Sequence, residues 1–260
     1  MKVVAEISEK GVLEQRFDLE TDGGVVPGIL WRPAASVEPS ATILIGHGGT
    51  QHKRAPNVLG LARRFVRHLG YAAVALDAPG HGDRITDEAA ATEARRNLER
   101  RIASGPTGRP FEIPPDQAKA WVERTRGGVA EWKVLLDHLP SAGLAGPYGY
   151  WGVSMGTAIG LPFVSSEPRI SAAVLGLAGM NTRPGSKEFE EAARALSIPI
   201  LFVFQWDDEL MNRESGLELF DAIGSQEKTM HINPGGHVGT PLFERDSYEA
   251  FFARHFGRKD

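Results

Sequence analysis

Ser154 lies in Gly152-Val153-Ser154-Met155-Gly156, directly after the apolar run Tyr148-Gly149-Tyr150-Trp151. A strand that stops in Gly-x-Ser-x-Gly and continues as a helix turns sharply. It holds the serine in strained backbone angles and lifts its hydroxyl clear of the sheet. The flanking glycines leave room where any side chain would meet the neighbouring strand or helix. A serine hydroxyl is a poor nucleophile at neutral pH. It needs a base to take its proton and a further group to orient that base. A five-residue motif is supplied readily by chance, so the reading depends on what else the chain offers.

Downstream of Ser154 the chain offers both partners. The apolar run Pro199 to Phe204 reads as a buried strand and ends in Gln205-Trp206-Asp207-Asp208-Glu209. Carboxylates at the C-terminal edge of a parallel sheet face the crevice where ligands bind. Asp207, Asp208 and Glu209 are therefore all candidate orienting acids, and three acids at a strand end also read as a solvated loop. The last strand is followed by Pro234-Gly235-Gly236-His237-Val238-Gly239, which puts a histidine in a loop able to reach across the sheet edge. An oxyanion formed in acyl transfer needs two preorganised donors. The N–H of Met155, at the start of a helix, is one. Gly46-His47-Gly48-Gly49-Thr50, after the apolar run Ala41 to Ile45, suits close approach of backbone to ligand. A phosphate cradle is the alternative for that turn, but no Lys-Ser/Thr follows as in a P-loop.

The elements that would position these groups alternate between strand-like and helical runs, the pattern of a mostly parallel sheet with helices on both faces. The start differs. Leu13 to Leu19 alternates with period two, Thr21-Asp22-Gly23-Gly24 turns, and Val25 to Trp31 runs extended, which predicts an antiparallel hairpin at a sheet edge. Further strands are expected over 41–45, 71–76, 148–152, 172–177, 200–204 and 228–232, eight in all. Helices are expected over 57–69 with Gly70 as cap, 116–139, 155–164, 187–196, 213–223 and 247–255. Residues 83–115 break the rhythm and read as an insertion. It is helical over 87–103, crowded with Arg95, Arg96, Arg100 and Arg101, and then a loop through Ser104-Gly105-Pro106-Thr107-Gly108-Arg109-Pro110. These arginines suit either recognition of an anionic substrate group or a solvated face paired with Glu93 and Glu99. No linker divides the chain, so one domain over 1–260 is expected.

Composition bounds the alternatives. The chain has 260 residues, 42% apolar and 24% charged, as in an ordinary globular protein with a sizeable core. It has no cysteine, which excludes disulfides, thiolate metal sites and thiol catalysis. The formal net charge of −4, without a long block of one sign, argues against nucleic acid as a partner. No apolar stretch is long enough to span a membrane, and the N-terminus does not read as a secretory signal, so a cytoplasmic location is the expectation. Self-association into a homodimer is left open. No cofactor and no metal site is expected, because the other histidines lack metal-like partners.

Together these residues resemble the α/β-hydrolase superfamily, over nearly the whole chain. The order Ser154, then an acid, then His237 matches that family's order. Gly46-His47-Gly48-Gly49 resembles its His-Gly oxyanion loop, which implies Gly49 as the second donor, with Thr50 next in line. Asp77-Ala78-Pro79-Gly80-His81-Gly82 resembles its Asp-x-x-Gly-x-Gly turn, and Pro234-Gly235-Gly236-His237 its Gly-Gly-His loop. The family's acid strand ends in Gly-x-x-Asp, and alignment on Pro199 selects Asp208 over Asp207. Two departures stand out. Gln205 replaces the usual glycine and is followed by the bulky Trp206. No large cap follows the sixth strand, since Gly179 to Lys187 is only a short loop. Within the superfamily the chain is similar to the compact dienelactone-hydrolase-like and acyl-esterase branches. The resemblance implies a serine hydrolase that cleaves a small-molecule carboxylic ester through an acyl-enzyme. Ser154, Asp208 and His237 would be catalytic, Gly49 and Met155 would bind the oxyanion, and Thr50, His52 and Trp206 would border the pocket. The same fold also supports C–C bond hydrolysis, perhydrolysis and peptidase chemistry, and a non-catalytic binding protein.

Overall fold

The computed structural model describes residues 1–35, 38–106, 113, 115–180 and 185–257. The strands are β1 (Lys2–Glu9), β2 (Val12–Thr21), β3 (Gly24–Pro33), β4 (Thr42–Gly46), β5 (Ala72–Leu76), β6 (Tyr148–Val153), β7 (Ile170–Gly176), β8 (Ile200–Gln205) and β9 (Lys228–Asn233). They form one sheet in the order β1-β2-β3-β5-β4-β6-β7-β8-β9. All pairings from β5 across to β9 are parallel, whereas β1, β2 and β3 add on antiparallel. The expected hairpin is β2–β3, paired from Val12↔Pro33 to the turn at Thr21↔Gly24. The eight expected strands are present, and β1 is a ninth outside them. All eight of its residues are exposed, so no apolar alternation marks it in the sequence.

Helices cover both faces. They are α1 (Pro56–Arg64), α2 (Glu88–Ala103), α3 (Pro115–His138), α4 (Met155–Ser165), α5 (Ser186–Ala195), α6 (Arg213–Ala222) and α7 (Glu244–Phe256). α1 continues through Phe65–Leu69 as a wider π turn and stops at Gly70, whose φ of 69° is left-handed. α7 begins three residues earlier than its sequence pattern predicts. The buried strands feed two cores by alternation. Leu44 points to the face that α3, α4 and α6 cover with Leu135, Phe163 and Leu219. Ile43 and Ile45 point to the face covered by α1 and α7 with Leu61 and Phe252.

α2 is different. Asp87 caps it by accepting the Ala90 N–H at 2.9 Å, but none of its residues is fully buried. Only Leu98 and Ile102 pack against the core from it. Of the loop expected over 104–110, residues 107–110 lie outside the described residues, as do 181–184 of the short connection expected over 179–187. Among the described residues no helix is long and apolar enough to cross a membrane.

The topology fixes where a site can form. The chain leaves β4 towards β5 on one side and leaves β6 towards β7 on the other. A parallel sheet opens a crevice beyond the carboxyl ends of two such strands. The loop at 46–50 and Ser154 therefore face each other across that opening.

Candidate active site

The sharp turn forms where β6 ends and α4 begins. Ser154 has φ 58° and ψ −117°, a region that a non-glycine residue enters only when its surroundings hold it there. Its N–H donates to the Gly176 carbonyl in β7 at 2.9 Å. Thr157, fully buried one turn on, accepts the Gly176 N–H at 2.8 Å and lies 2.8 Å from the Gly152 carbonyl. The motif glycines allow close approach. A Cβ on Gly156 would lie 2.6 Å from the Gly46 carbonyl in β4, and one on Gly152 would lie 2.7 Å from the Tyr150 ring and 2.9 Å from the Gly156 backbone. The Tyr150 hydroxyl completes the support by donating to the Gly156 carbonyl at 2.7 Å. Burial pushes that phenol's pKa up, so it stays a donor.

His237 reaches Ser154 from the loop after β9. Its Nε2 lies 2.9 Å from Ser154 Oγ, and its Nδ1 lies 2.8 Å from Asp208 Oδ2. A carboxylate only accepts, so the ring proton belongs on Nδ1. That leaves the Nε2 lone pair facing the serine hydroxyl. The Asp208 side chain is wholly buried, and its second oxygen accepts the N–H groups of Leu210 and Met211 at 2.8 and 2.9 Å. Of the three candidate acids, Asp208 is the one on the ring. Asp207 turns away and accepts the Gly235 N–H at 3.1 Å, and Glu209 accepts the His237 main-chain N–H at 2.7 Å.

The loop carrying His237 is fastened to the acid loop along its length. Trp206 N–H donates to Asn233 O at 2.7 Å and Asp207 N–H to Gly235 O at 3.1 Å. Gln205, fully buried, directs its amide NH2 at the carbonyls of Pro234 and Gly236, 3.4 Å from each. This is what the glycine-to-glutamine departure does: the amide spans the gap between the two loops. Glu244, at the head of α7, holds the other end by accepting from His231 Nδ1 and Asn233 Nδ2, each at 3.0 Å.

Opposite Ser154, the 46–50 loop is set by His47. The ring is buried, and its Nδ1 lies 2.8 Å from the Gly48 carbonyl while Nε2 accepts the Ala78 N–H at 3.0 Å. One nitrogen must donate and the other accept, so the ring is neutral with its proton on Nδ1. Burial agrees, lowering its pKa to about 4. The Gly48 carbonyl also accepts the Gln51 N–H at 3.3 Å. In a trans peptide the Gly49 N–H points opposite to that carbonyl, away from both tethers. Met155 is the first residue of α4, so its N–H has no partner within the helix.

The expected pocket residues are placed unevenly. Thr50 is half-buried with φ 58°, strained for a β-branched residue. His52 is exposed, and its Nδ1 accepts the Arg54 N–H at 3.2 Å. Trp206 is 44% exposed, with the Arg213 guanidinium 3.5 Å from its ring centre. Among the described residues none of the three bonds to the Ser154–His237–Asp208 chain. Lys53, the neighbour of His52, is buried. Its Nζ lies 2.6 Å from Asp77 and 2.7 Å from Asp83, tying the 46–53 loop to the turn after β5. The Lys53 hydrogen bond holds the Asp83 carboxyl below its ordinary range. Arg95, Arg96 and Arg100 are exposed, and the pairing with Glu93 and Glu99 is not made. Arg100 turns to the Asn97 side chain, three residues back. Arg101 points inward, donating from Nε to the Glu209 carbonyl at 3.1 Å.

No protein-family model matches the chain, and none of the curated proteins does. Solved structures do. A cold-adapted esterase from an Arctic intertidal metagenomic library is 32% identical, with 98% of this chain and 100% of that one covered and a TM-score of 0.81. An esterase of Pyrococcus furiosus (14% identical, 99% of each chain, TM-score 0.68) shares the fold. So does an acetyl xylan esterase of a Paenibacillus species (14% identical, 97% of this chain and 87% of that one, TM-score 0.69). With that identity over 98% of its length, a strand-to-helix turn at Ser154 and a mostly parallel sheet, the chain belongs to the α/β-hydrolase superfamily as a carboxylesterase-like serine hydrolase.

Proposed function

We propose that the chain cleaves a carboxylic ester of a small molecule in two steps through an acyl-enzyme on Ser154. The observation that carries this is the unbroken chain Ser154 Oγ, His237 Nε2, His237 Nδ1, Asp208 Oδ2, with links of 2.9 and 2.8 Å and a fully buried carboxylate at its end. As Ser154 Oγ attacks the carbonyl carbon, its proton passes to His237 Nε2. Asp208 stabilises the imidazolium that results. The N–H groups of Gly49 and Met155 receive the charge on the carbonyl oxygen, and the positive end of α4 adds to this. His237 returns the proton to the leaving alcohol. Water then enters and attacks the acyl carbon as it loses a proton to His237, and His237 returns that proton to Ser154 Oγ as the acyl–oxygen bond breaks and the carboxylic acid leaves.

The arginines at 95, 96 and 100 face solvent, while α2 turns Leu98, Ile102 and the Arg101 side chain towards the body. The test compares the parent with Ser154→Ala on a short p-nitrophenyl ester, a peptide amide and a β-diketone. Ester turnover in the parent and its loss in a folded Ser154→Ala protein is the expected result. Equal turnover in the two proteins overturns the assignment, and β-diketone or amide cleavage in place of ester cleavage overturns the substrate class.

A further inference from the structure

Resting on the reading of His237 as the base, we propose that Glu209 is a positioning residue that fixes the backbone of that histidine. Consecutive acids divide the task. Asp208 holds the ring through Nδ1 at 2.8 Å, and Glu209 Oε2 accepts the main-chain N–H of the same residue at 2.7 Å. The second bond matters because the loop leading to His237 is intrinsically loose. It runs Pro234-Gly235-Gly236, and Gly235 sits at φ 107°, open only to glycine. A ring held only at Nδ1 can still swing about that contact as its Cα moves. Holding the Cα as well leaves Nε2 one position, facing Ser154.

Position 236 carries the mark of this arrangement. A Cβ there would sit in the space that the Glu209 carboxylate occupies. The side chain and the glycine are therefore fitted to each other. The Glu209 carbonyl, not its carboxylate, accepts from Arg101 of α2. Changing the side chain thus cuts the tether to His237 and leaves the contact with α2 available.

The test measures kcat, KM and the rate of fluorophosphonate labelling for the parent, Glu209→Ala and Glu209→Gln, with Ser154→Ala as control. Glutamine keeps an acceptor oxygen at the same reach, and alanine removes it. Misplacing a reacting group by about an ångström costs on the order of a hundredfold. Glu209→Ala is therefore expected to lose about ten- to a hundredfold in kcat and in labelling rate, with KM within about twofold and thermal unfolding still cooperative. Glu209→Gln is expected to regain most of the loss. A Glu209→Ala protein with the parent's kcat, a loss confined to KM, or a Glu209→Gln protein as impaired as Glu209→Ala overturns the proposal. If Glu209→Ala unfolds, the Glu209→Gln comparison decides alone, and a folded variant with kcat reduced tenfold or more counts against the tether. An active Ser154→Ala control would instead sink the nucleophile assignment beneath it.

Discussion

Acidification should loosen the 46–50 loop through one buried histidine. His47 is neutral because Nδ1 donates to Gly48 O and Nε2 accepts from Ala78 N–H. A second proton on Nε2 would replace an acceptor by a donor facing a donor. Burial lowers the pKa from 6.5 to about 4 in the folded state. Between those values the unfolded chain binds more protons than the folded one, so stability falls as pH falls through that window and levels off below it. The linkage relation gives a loss of about 2 kcal/mol at pH 5 and about 3 kcal/mol at pH 4 relative to neutral pH. His81 is also lowered, mainly by burial, and pulls the same way, so the clean quantity is a difference between proteins. Urea unfolding of the parent and of His47→Gln at pH 7 and pH 5 isolates it. The parent should lose about 2 kcal/mol more than the variant over that interval. Equal losses in the two proteins would refute the assignment of His47 as a neutral tether.

Other outcomes follow from the same geometry. Asp208→Asn should reduce kcat by on the order of a thousandfold or more, because the ring proton loses its carboxylate, whereas Asp207→Asn should stay within about threefold; steady-state kinetics on one ester separates them. Gly156→Ala would place a methyl 2.6 Å from the Gly46 carbonyl, a backbone atom that cannot swing aside. It should cost about 1–3 kcal/mol in urea unfolding and lower activity by displacing the 46–50 loop. Replacing Lys53 with methionine strands the wholly buried Asp77, so thermal unfolding of Lys53→Met should show a loss of about 3–5 kcal/mol.

How much of this the sequence revealed depended on range. The turn at Ser154, the glycine-rich histidine loop and most strands rest on neighbours within a few residues, and pattern alone exposes them. The choice among Asp207, Asp208 and Glu209 does not, because three adjacent acids leave an irregular turn in three directions and only the fold says which direction meets a ring. Glu209 and Gln205 were invisible as supports for the same reason: their partners lie about 30 residues away in another loop. Nothing beside Lys53 in the sequence marks it for burial, because Asp77 and Asp83 lie 24 and 30 residues further on and close over it only in the fold. Pairing of the α2 arginines at helical spacing is allowed by sequence, but solvent competes for exposed pairs and the side chains turn elsewhere. β1 escaped because a strand exposed along its whole length has no buried face to impose alternation.

The central claim is that Ser154 is the activated nucleophile. Treating the protein with a fluorophosphonate and reading the adduct by peptide mass spectrometry tests it most directly. One adduct per chain is predicted, on the peptide carrying Ser154, absent in Ser154→Ala and formed far more slowly in His237→Ala. An adduct on any other residue, or undiminished labelling of Ser154→Ala, would contradict the account.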